Sequence, residues 1–354
     1  MQMEPLPHII LDGKTVPSGD AKERLSSRLA MYGEGCFDTI RSYNGGFLYP
    51  EKHLHRLHKG MIFLGWNIPE PLCDARSFME ILGLFLRSKG SVNQHVRIRI
   101  QVWANNHGTG YNPVSGNLTK AEDENTEDSD RVCKQTVDKP VVSKQTVGKQ
   151  TVSKSTVENP VLDSESMDKQ TQSGQTTRFI ITGHRMNPIA GRTQTVSLAT
   201  SRYRRIPADA LPPEVKWTNG INYILAAKEA HEKGVDDALM LTTSGFVSET
   251  TVANIFWKKS DMVYTPSVDC DLLPGITRSI LTDILKDSGI PLRQGRFQPA
   301  TLHDADAAWI CNSVREICPV ICLDEHRYQS ESPFLPEIVR LYENHKQERL
   351  QYVR

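Results

Sequence analysis

Apolar and polar positions alternate along the chain with two distinct periods, and each period predicts an element. His95-Val-Arg-Ile-Arg-Ile-Gln-Val switches character at every residue, the pattern of a strand with one buried face. Tyr43-Asn-Gly-Gly is a turn sequence, and Gly46-Phe-Leu-Tyr after it completes a hairpin. Between them, residues 53–64 carry Leu54, Leu57 and Met61 near helical spacing. Further on, Ile221, Ile224 and Leu225, with Ala227 and Ala230, predict one apolar helical face that stops at Gly234. Asp237-Ala-Leu-Met-Leu, Asn254-Ile-Phe-Trp and Met262-Val-Tyr read as strands, with Thr243-Ser-Gly as a turn. Leu273-Pro-Gly-Ile-Thr-Arg leads into a helix whose Ile280, Leu281, Ile284 and Leu285 share a face, closed by Gly289 and Pro291. The fold class is α+β.

The periodicity fails in the middle of the chain. Between Tyr111 and Phe179 there is no Phe, Tyr or Trp, and Lys144-Gln-Thr-Val, Lys149-Gln-Thr-Val and Lys154-Ser-Thr-Val repeat at a spacing of five. A polar stretch without aromatics cannot offset an ordering entropy of roughly 1–2 kcal/mol per residue. It is therefore expected to be a disordered insertion over residues 114–177, between a small N-terminal domain (1–113) and a larger C-terminal domain (178–354). The low overall apolar content, 38%, is explained by this segment.

Charge and cysteine content narrow the function classes. Lys and Arg number 42 and Asp and Glu 42, which argues against a dedicated nucleic-acid binder. Seven cysteines without regular spacing read as reduced thiols, and no apolar run is long enough for a membrane span, so a cytoplasmic protein is expected. His53, His55 and His58 fall on different sides of their helix with no acidic or cysteine cluster beside them, and no metal is expected there. Arg202, Arg204 and Arg205 read first as a solvated basic face, with a phosphate-attracting patch or part of a substrate entrance as the other readings. The turn at Gly275 carries chemistry of its own: a glycine opening a helix exposes unpaired N–H groups at a positive helix end, which is an anion site.

Several motifs carry a family resemblance when taken together. Tyr32-Gly-Glu-Gly-Cys-Phe-Asp-Thr-Ile-Arg, His53-Leu-His-Arg-Leu, Lys216-Trp-Thr-Asn, Ser248-Glu-Thr-Thr-Val-Ala-Asn-Ile-Phe, Gly275-Ile-Thr-Arg and Cys311-Asn-Ser-Val-Arg occur in the order found in fold-type IV pyridoxal-phosphate enzymes, which the chain resembles outside the insertion. Members include branched-chain and D-amino-acid aminotransferases and 4-amino-4-deoxychorismate lyase. The resemblance implies a small N-terminal α/β sandwich domain, a larger C-terminal pseudo-barrel domain, pyridoxal 5'-phosphate as cofactor and a homodimer acting on a small amino substrate.

Residue by residue, it makes Lys216 the lysine that forms the Schiff base with the cofactor. Condensation with an aldehyde needs an amine that loses its proton near neutrality, as a partly desolvated lysine beside other positive charge does. Glu249 corresponds to the acid facing the pyridine nitrogen, and Arg56 to the arginine that holds the phosphate. Ile276 and Thr277, with Asn312 and Ser313, would complete the phosphate cup, and Leu273 would pack on the cofactor ring.

Substrate contacts divide the family. The Asn105–Pro113 stretch lacks the Arg-x-His pair typical of the D-amino-acid branch, and Phe37 stands where that branch has tyrosine. Gly35-Cys-Phe, Ala253-Asn-Ile-Phe-Trp, Val263-Tyr-Thr-Pro and Ile310-Cys-Asn-Ser look more like the lyase, whereas Leu273-Pro-Gly-Ile-Thr-Arg is closer to branched-chain aminotransferases. The expectation is the lyase, which releases pyruvate and 4-aminobenzoate. The alternative is a branched-chain aminotransferase using 2-oxoglutarate.

Overall fold

The computed structural model describes residues 3–88, 90–105, 111, 176–187, 195–328 and 333–353. The expected insertion therefore lies, but for its last two residues, outside the described residues. The Asn105–Pro113 stretch does so too, except for Asn105 and Tyr111.

Two sheets organise the chain. The first is antiparallel and eight-stranded, in the order Leu350–Tyr352, Gly46–Leu48, Gly35–Tyr43, His95–Ala104, Thr177–Met186, His8–Leu11 and Lys14–Pro17, with Met3–Pro5 paired to Thr177–Met186. The strand His95–Ala104 alternates half-buried and buried residues over most of its length, as its sequence predicts. Its inward Val96, Ile98, Ile100 and Val102 pack under two helices, Pro50–Phe63 and Ala75–Arg87, through Leu54, Leu57, Met61, Phe78, Leu82 and Phe85. Asp74 caps the second helix by accepting the Ser77 N–H at 2.8 Å.

Membership of this sheet corrects the boundary placed at residue 178. Thr177–Met186 pairs along its whole length with His95–Ala104, so it is a strand of the first sheet rather than the start of the second domain. The chain's last strand, Leu350–Tyr352, also returns to this sheet, against Gly46–Leu48. Sheet edges accept whichever segment supplies a free ladder of N–H and C=O groups, and that pairing is not local in sequence.

The second sheet closes on itself. Val247–Thr250, Asp237–Leu241, Val196–Arg204, Glu316–Leu323, Ala307–Asn312 and Asn254–Lys259 pair in sequence, and Asn254–Lys259 pairs back to Val247–Thr250, making a ring. Met262–Pro266 and Leu292–Gly295 extend it beyond Asn254–Lys259. The helix Ile276–Asp287 buries Ile280, Leu281, Ile284 and Leu285 together with Phe256, Trp309 and the C-terminal helix Phe334–Arg349.

The helix Ile221–Glu232 buries only part of its expected face, Ala230, and exposes Ile221, Ile224 and Ala227. Its buried residues are Ala226 and Ala230, which pack on Ala238 and Met240, while Ile221 and Ile224 stand 63% and 55% exposed. Small side chains let the helix lie close to the strands beneath it, and this packing sets its rotation.

Candidate active site

The segment that carries Lys216 runs between the two sheets. The Phe37 N–H donates to the Lys216 carbonyl at 2.8 Å and the Thr218 N–H to the Gly35 carbonyl at 2.9 Å, so residues 216–218 lie antiparallel against the start of Gly35–Tyr43. Gly35 permits this approach, because a Cβ there would sit 2.9 Å from the Val102 carbonyl and 3.1 Å from the Thr218 side chain. The Lys216 ammonium stands 5.2 Å from the centroid of the Phe37 ring, and the Arg99 guanidinium lies on the same ring at 3.5 Å. Burial, then the Arg56 charge, outweigh the attraction of Asp38 and Glu249 and bring the lysine down to about 8.

Arg56 projects from the helix Pro50–Phe63 onto Asp38, which is 1% exposed on the facing strand. Its Nε and Nη2 donate to the two carboxylate oxygens at 2.7 and 3.0 Å. His53 Nδ1 lies 2.8 Å from the same carboxylate, and the Thr39 N–H donates to it at 2.6 Å. Burial alone would raise the Asp38 carboxyl, but Arg56 and His53 hold it well below the usual carboxylate range; burial keeps His53 below its ordinary value. His58 instead meets the Leu72 carbonyl, and His55 is exposed, so the three histidines diverge.

Glu249 is 5% exposed on Val247–Thr250 and is held on every side. Asn254 Nδ2 and the Leu273 N–H donate to Oε2 at 3.1 and 3.2 Å; Arg205 Nη2 lies 3.3 Å from Oε1 and the Tyr223 hydroxyl donates to it at 3.4 Å. Burial raises its carboxyl above the ordinary value, opposed chiefly by Arg205 and Lys216. The Asn254 amide also donates to the Leu273 carbonyl at 2.9 Å, so Leu273 and Glu249 are tied into one unit. Arg205 thereby departs from its expected solvated face: it is buried, donates from Nε to the Asp271 carbonyl at 2.8 Å and stacks on Tyr223, while Arg202 and Arg204 remain exposed. A buried carboxylate needs a cation, and the strand end at Arg204 carries Arg205 inward to supply it.

Gly275 opens the helix Ile276–Asp287 with no side-chain cap, leaving its first N–H groups to other partners. A cavity of about 500 Å³ lies at this helix end, lined by Gly275, Ile276, Ser279 and Arg278 on one side and by Lys52, Arg56 and Lys59 on the other. Glu51 and Glu214 are the carboxylates in its wall, so four cations face two anions and the surplus is positive. Lys216, Glu249 and Leu273 do not line it. Thr277 hydrogen-bonds with Tyr342, and it shares with Ser313, Arg41 and His53 the wall of a much smaller space behind the helix. The Asn312 side chain is turned into its own loop. Its oxygen accepts the Val314 and Arg315 N–H groups at 2.9 and 2.7 Å, and its amide donates to the Val252 carbonyl at 3.1 Å, so its contribution is the shape of the loop that carries Ser313.

The site thus joins Lys216, Arg56 and Glu249 electrostatically and sets Arg56 opposite the helix start at Ile276. Asp38, Arg99 and Asn254 complete it without having been singled out as site residues, and Arg205, read first as part of a solvated face, joins them. Asp38 did leave a signal: it occupies the inward face of its strand in register with buried Cys36 and Ile40, where an acid needs a partner.

A lysine lowered toward neutrality between a fixed arginine and a buried carboxylate is the arrangement of an aldehyde-cofactor enzyme. The sequence matches the Amino-transferase class IV family over residues 35–142 and 149–321, and the chain belongs to that family. A protein of Methanocaldococcus jannaschii assigned as a branched-chain-amino-acid aminotransferase is 28% identical over 319 residues, 89% of this chain and 88% of the relative. The aminodeoxychorismate lyase of Bacillus subtilis is 38% identical over 112 residues, 32% of this chain and 38% of the relative. Among solved structures, the branched-chain aminotransferase of Thermoproteus uzoniensis with norvaline superposes with a TM-score of 0.73 at 22% identity, over the whole of both chains. That of Thermobaculum terrenum in its PLP form gives 0.74 at 18%, again over both whole chains. At these identities the structural likeness establishes the fold.

Proposed function

We propose that this protein uses pyridoxal 5'-phosphate to release the α-proton of a carboxylate-bearing amino substrate, and that its reaction is the lyase one that yields 4-aminobenzoate and pyruvate. The observation that carries the cofactor reading is Lys216: an amine brought to about 8 beside Arg56 and Glu249, with a positive cavity at the Arg56 end. The donor set suits the group. A phosphate dianion matches the surplus of positive charge between Arg56 and the uncapped helix start, where Ile276 and Thr277 offer N–H groups; the Thr277 and Ser313 side chains line the smaller space behind the helix. When bound, pyridoxal phosphate supplies an aldehyde for amines to condense with and a ring that draws electrons from the substrate Cα. Glu249, braced by Arg205 and Asn254, would keep a proton on the ring nitrogen, and Leu273, its backbone tied to Glu249, would pack beside the ring. Lys216 Nζ, lowered toward neutrality, would be the base that accepts the substrate Cα proton. Arg97 and Arg99 stand half-buried on the same face of His95–Ala104, and Arg99 shares Phe37 with Lys216, which suits a substrate bearing a carboxylate.

The lyase reading is supported by the Cys36-Phe37, Phe256-Trp257 and Tyr264-Thr265-Pro266 motifs and by the 38% identity to the Bacillus subtilis lyase. A branched-chain aminotransferase is the second reading, favoured by the match that spans nearly the whole chain. In either reading the enzyme is a cytoplasmic homodimer, and the exposed Ile221 and Ile224, a few residues from Lys216, suit a subunit interface.

The experiment mixes the protein with pyridoxal phosphate and records the visible band. Borohydride should abolish the band and fix the cofactor on Lys216, and Lys216→Ala should show no band and no turnover. Aminodeoxychorismate is then offered in parallel with leucine plus 2-oxoglutarate. Release of 4-aminobenzoate is expected; glutamate as the sole product transfers the protein to the second reading, and absence of both band and product sinks the cofactor reading.

A further inference from the structure

Asp38 is bonded to the arginine that the proposed function gives to the phosphate, yet it has no role in that reading. Its carboxylate takes the Nε–H and one Nη2–H of Arg56, two of the five guanidinium donors. This bidentate grip fixes the guanidinium plane, and Arg56 then lines the cavity opposite Gly275 and Ile276 with its remaining N–H groups unclaimed by Asp38. The carboxylate is itself immobilised by the His53 ring and the Thr39 N–H, from the facing helix and from its own strand. An arginine side chain has several rotatable bonds, and without such a brace it would pay ordering entropy each time it met an anion.

Charge points the same way. Arg56, Lys216 and Arg99 crowd one end of the site, with Asp38 and Glu249 as the acids that act on Lys216 against them. Asp38 lies between Arg56 and His53 at 1% exposure, so solvent reaches the pair only from the Arg56 side.

Resting on the cofactor reading above, we propose that Asp38 is a positioning residue that pre-sets Arg56 for the cofactor's phosphate, so that the protein's preference for a phosphorylated over an unphosphorylated aldehyde depends on it. The test titrates the apo-protein with pyridoxal 5'-phosphate and, separately, with pyridoxal, following the absorbance of the lysine-bound aldehyde, and takes the ratio of the two affinities. A residue that merely braces the fold, or acts only through Lys216, alters both affinities alike; one that aims Arg56 alters the phosphorylated one further. Asp38→Asn should lower the ratio at least about tenfold, the scale of one charge-assisted hydrogen bond, any effect through Lys216 being common to both aldehydes and cancelling in the ratio. Asp38→Glu keeps the charge but displaces it by one methylene, and should lower the ratio at least about threefold, which provides the measurement if Asp38→Asn does not fold. A ratio within about twofold of the parent, in whichever variant folds, overturns the proposal. A parent protein that binds neither aldehyde overturns the cofactor reading instead, so the two failures are distinguishable.

Discussion

Lys216 is a charge whose environment tolerates it poorly, and this has a measurable consequence for stability. Its value falls from 10.5 to about 8 on folding, so the folded state penalises the protonated form. The penalty is complete below about pH 8, where both states are protonated, and disappears as pH rises through 10.5, where both are neutral. Without cofactor, Lys216→Met should therefore melt above the parent at pH 7, with the gap narrowing between pH 8 and 10.5; scanning calorimetry across that range checks it, and a constant gap would contradict the electrostatic account. Gly275 is the second sensitive residue. A Cβ there would collide with Asn254 Oδ1, and Asn254 cannot yield freely because its amide holds both Glu249 and Leu273. Gly275→Ala should cost about 1–3 kcal/mol in urea unfolding and weaken cofactor uptake as well. At this scale the motifs nominated Lys216, Arg56 and Glu249, and the structure brings the three within electrostatic reach of one another. The sequence did not reveal Arg205, because an Arg-x-Arg-Arg run looks solvated until the strand end carries one of the three toward a buried acid.

The last helix shows what holds elements to one another. Phe334–Arg349 brings Lys346 to Glu316 at 2.8 Å, both buried, and Glu316 lies just beyond the loop that presents Ser313. Arg41 braces the same loop by donating to the Val314 carbonyl at 2.7 Å. Lys346→Met removes the cation bonded to the buried Glu316 carboxylate, leaving it the Tyr43 hydroxyl and the Arg41 charge, and should cost up to about 3–5 kcal/mol, whereas Lys346→Met combined with Glu316→Gln should recover a substantial part of that loss. Equal losses in the single and double variants, measured by denaturant unfolding, would show that the helix is held by its apolar contacts alone. Periodicity and turn chemistry located the hairpin at Gly46, three helices and the strands His95–Ala104, Asp237–Leu241, Asn254–Lys259 and Met262–Pro266, left elements such as the helix Ala75–Arg87 unread, and misjudged the rotation of one helix. Ile221–Glu232 was legible as a helix, but its apolar positions include side chains facing outward, because the buried stripe is set by the strands it lies on.

Across the whole molecule, the chain leaves the first sheet at Ala104 and re-enters it at Thr177 on the neighbouring strand, where the Asn105 N–H donates to the Thr176 carbonyl at 2.9 Å. Both ends of the intervening segment are thus at one end of one strand pair. Removing residues 118–174 and joining the ends should leave the melting temperature within a few degrees and cofactor affinity within about twofold of the parent, checked by calorimetry and absorbance titration. Loss of the visible band would show that the segment contributes to the site.

The sequence by itself determined several of the elements and the family of the enzyme, and it nominated Lys216, because periodicity, turn chemistry and family motifs are written in neighbouring residues. Only the tertiary structure decided that Thr177–Met186 and Leu350–Tyr352 belong to the first sheet, that Asp38 clasps Arg56 and that Arg205 serves Glu249. A hydrogen-bond ladder or a buried charge is satisfied by whatever lies beside it in space, and those partners stand tens to hundreds of residues apart in the chain.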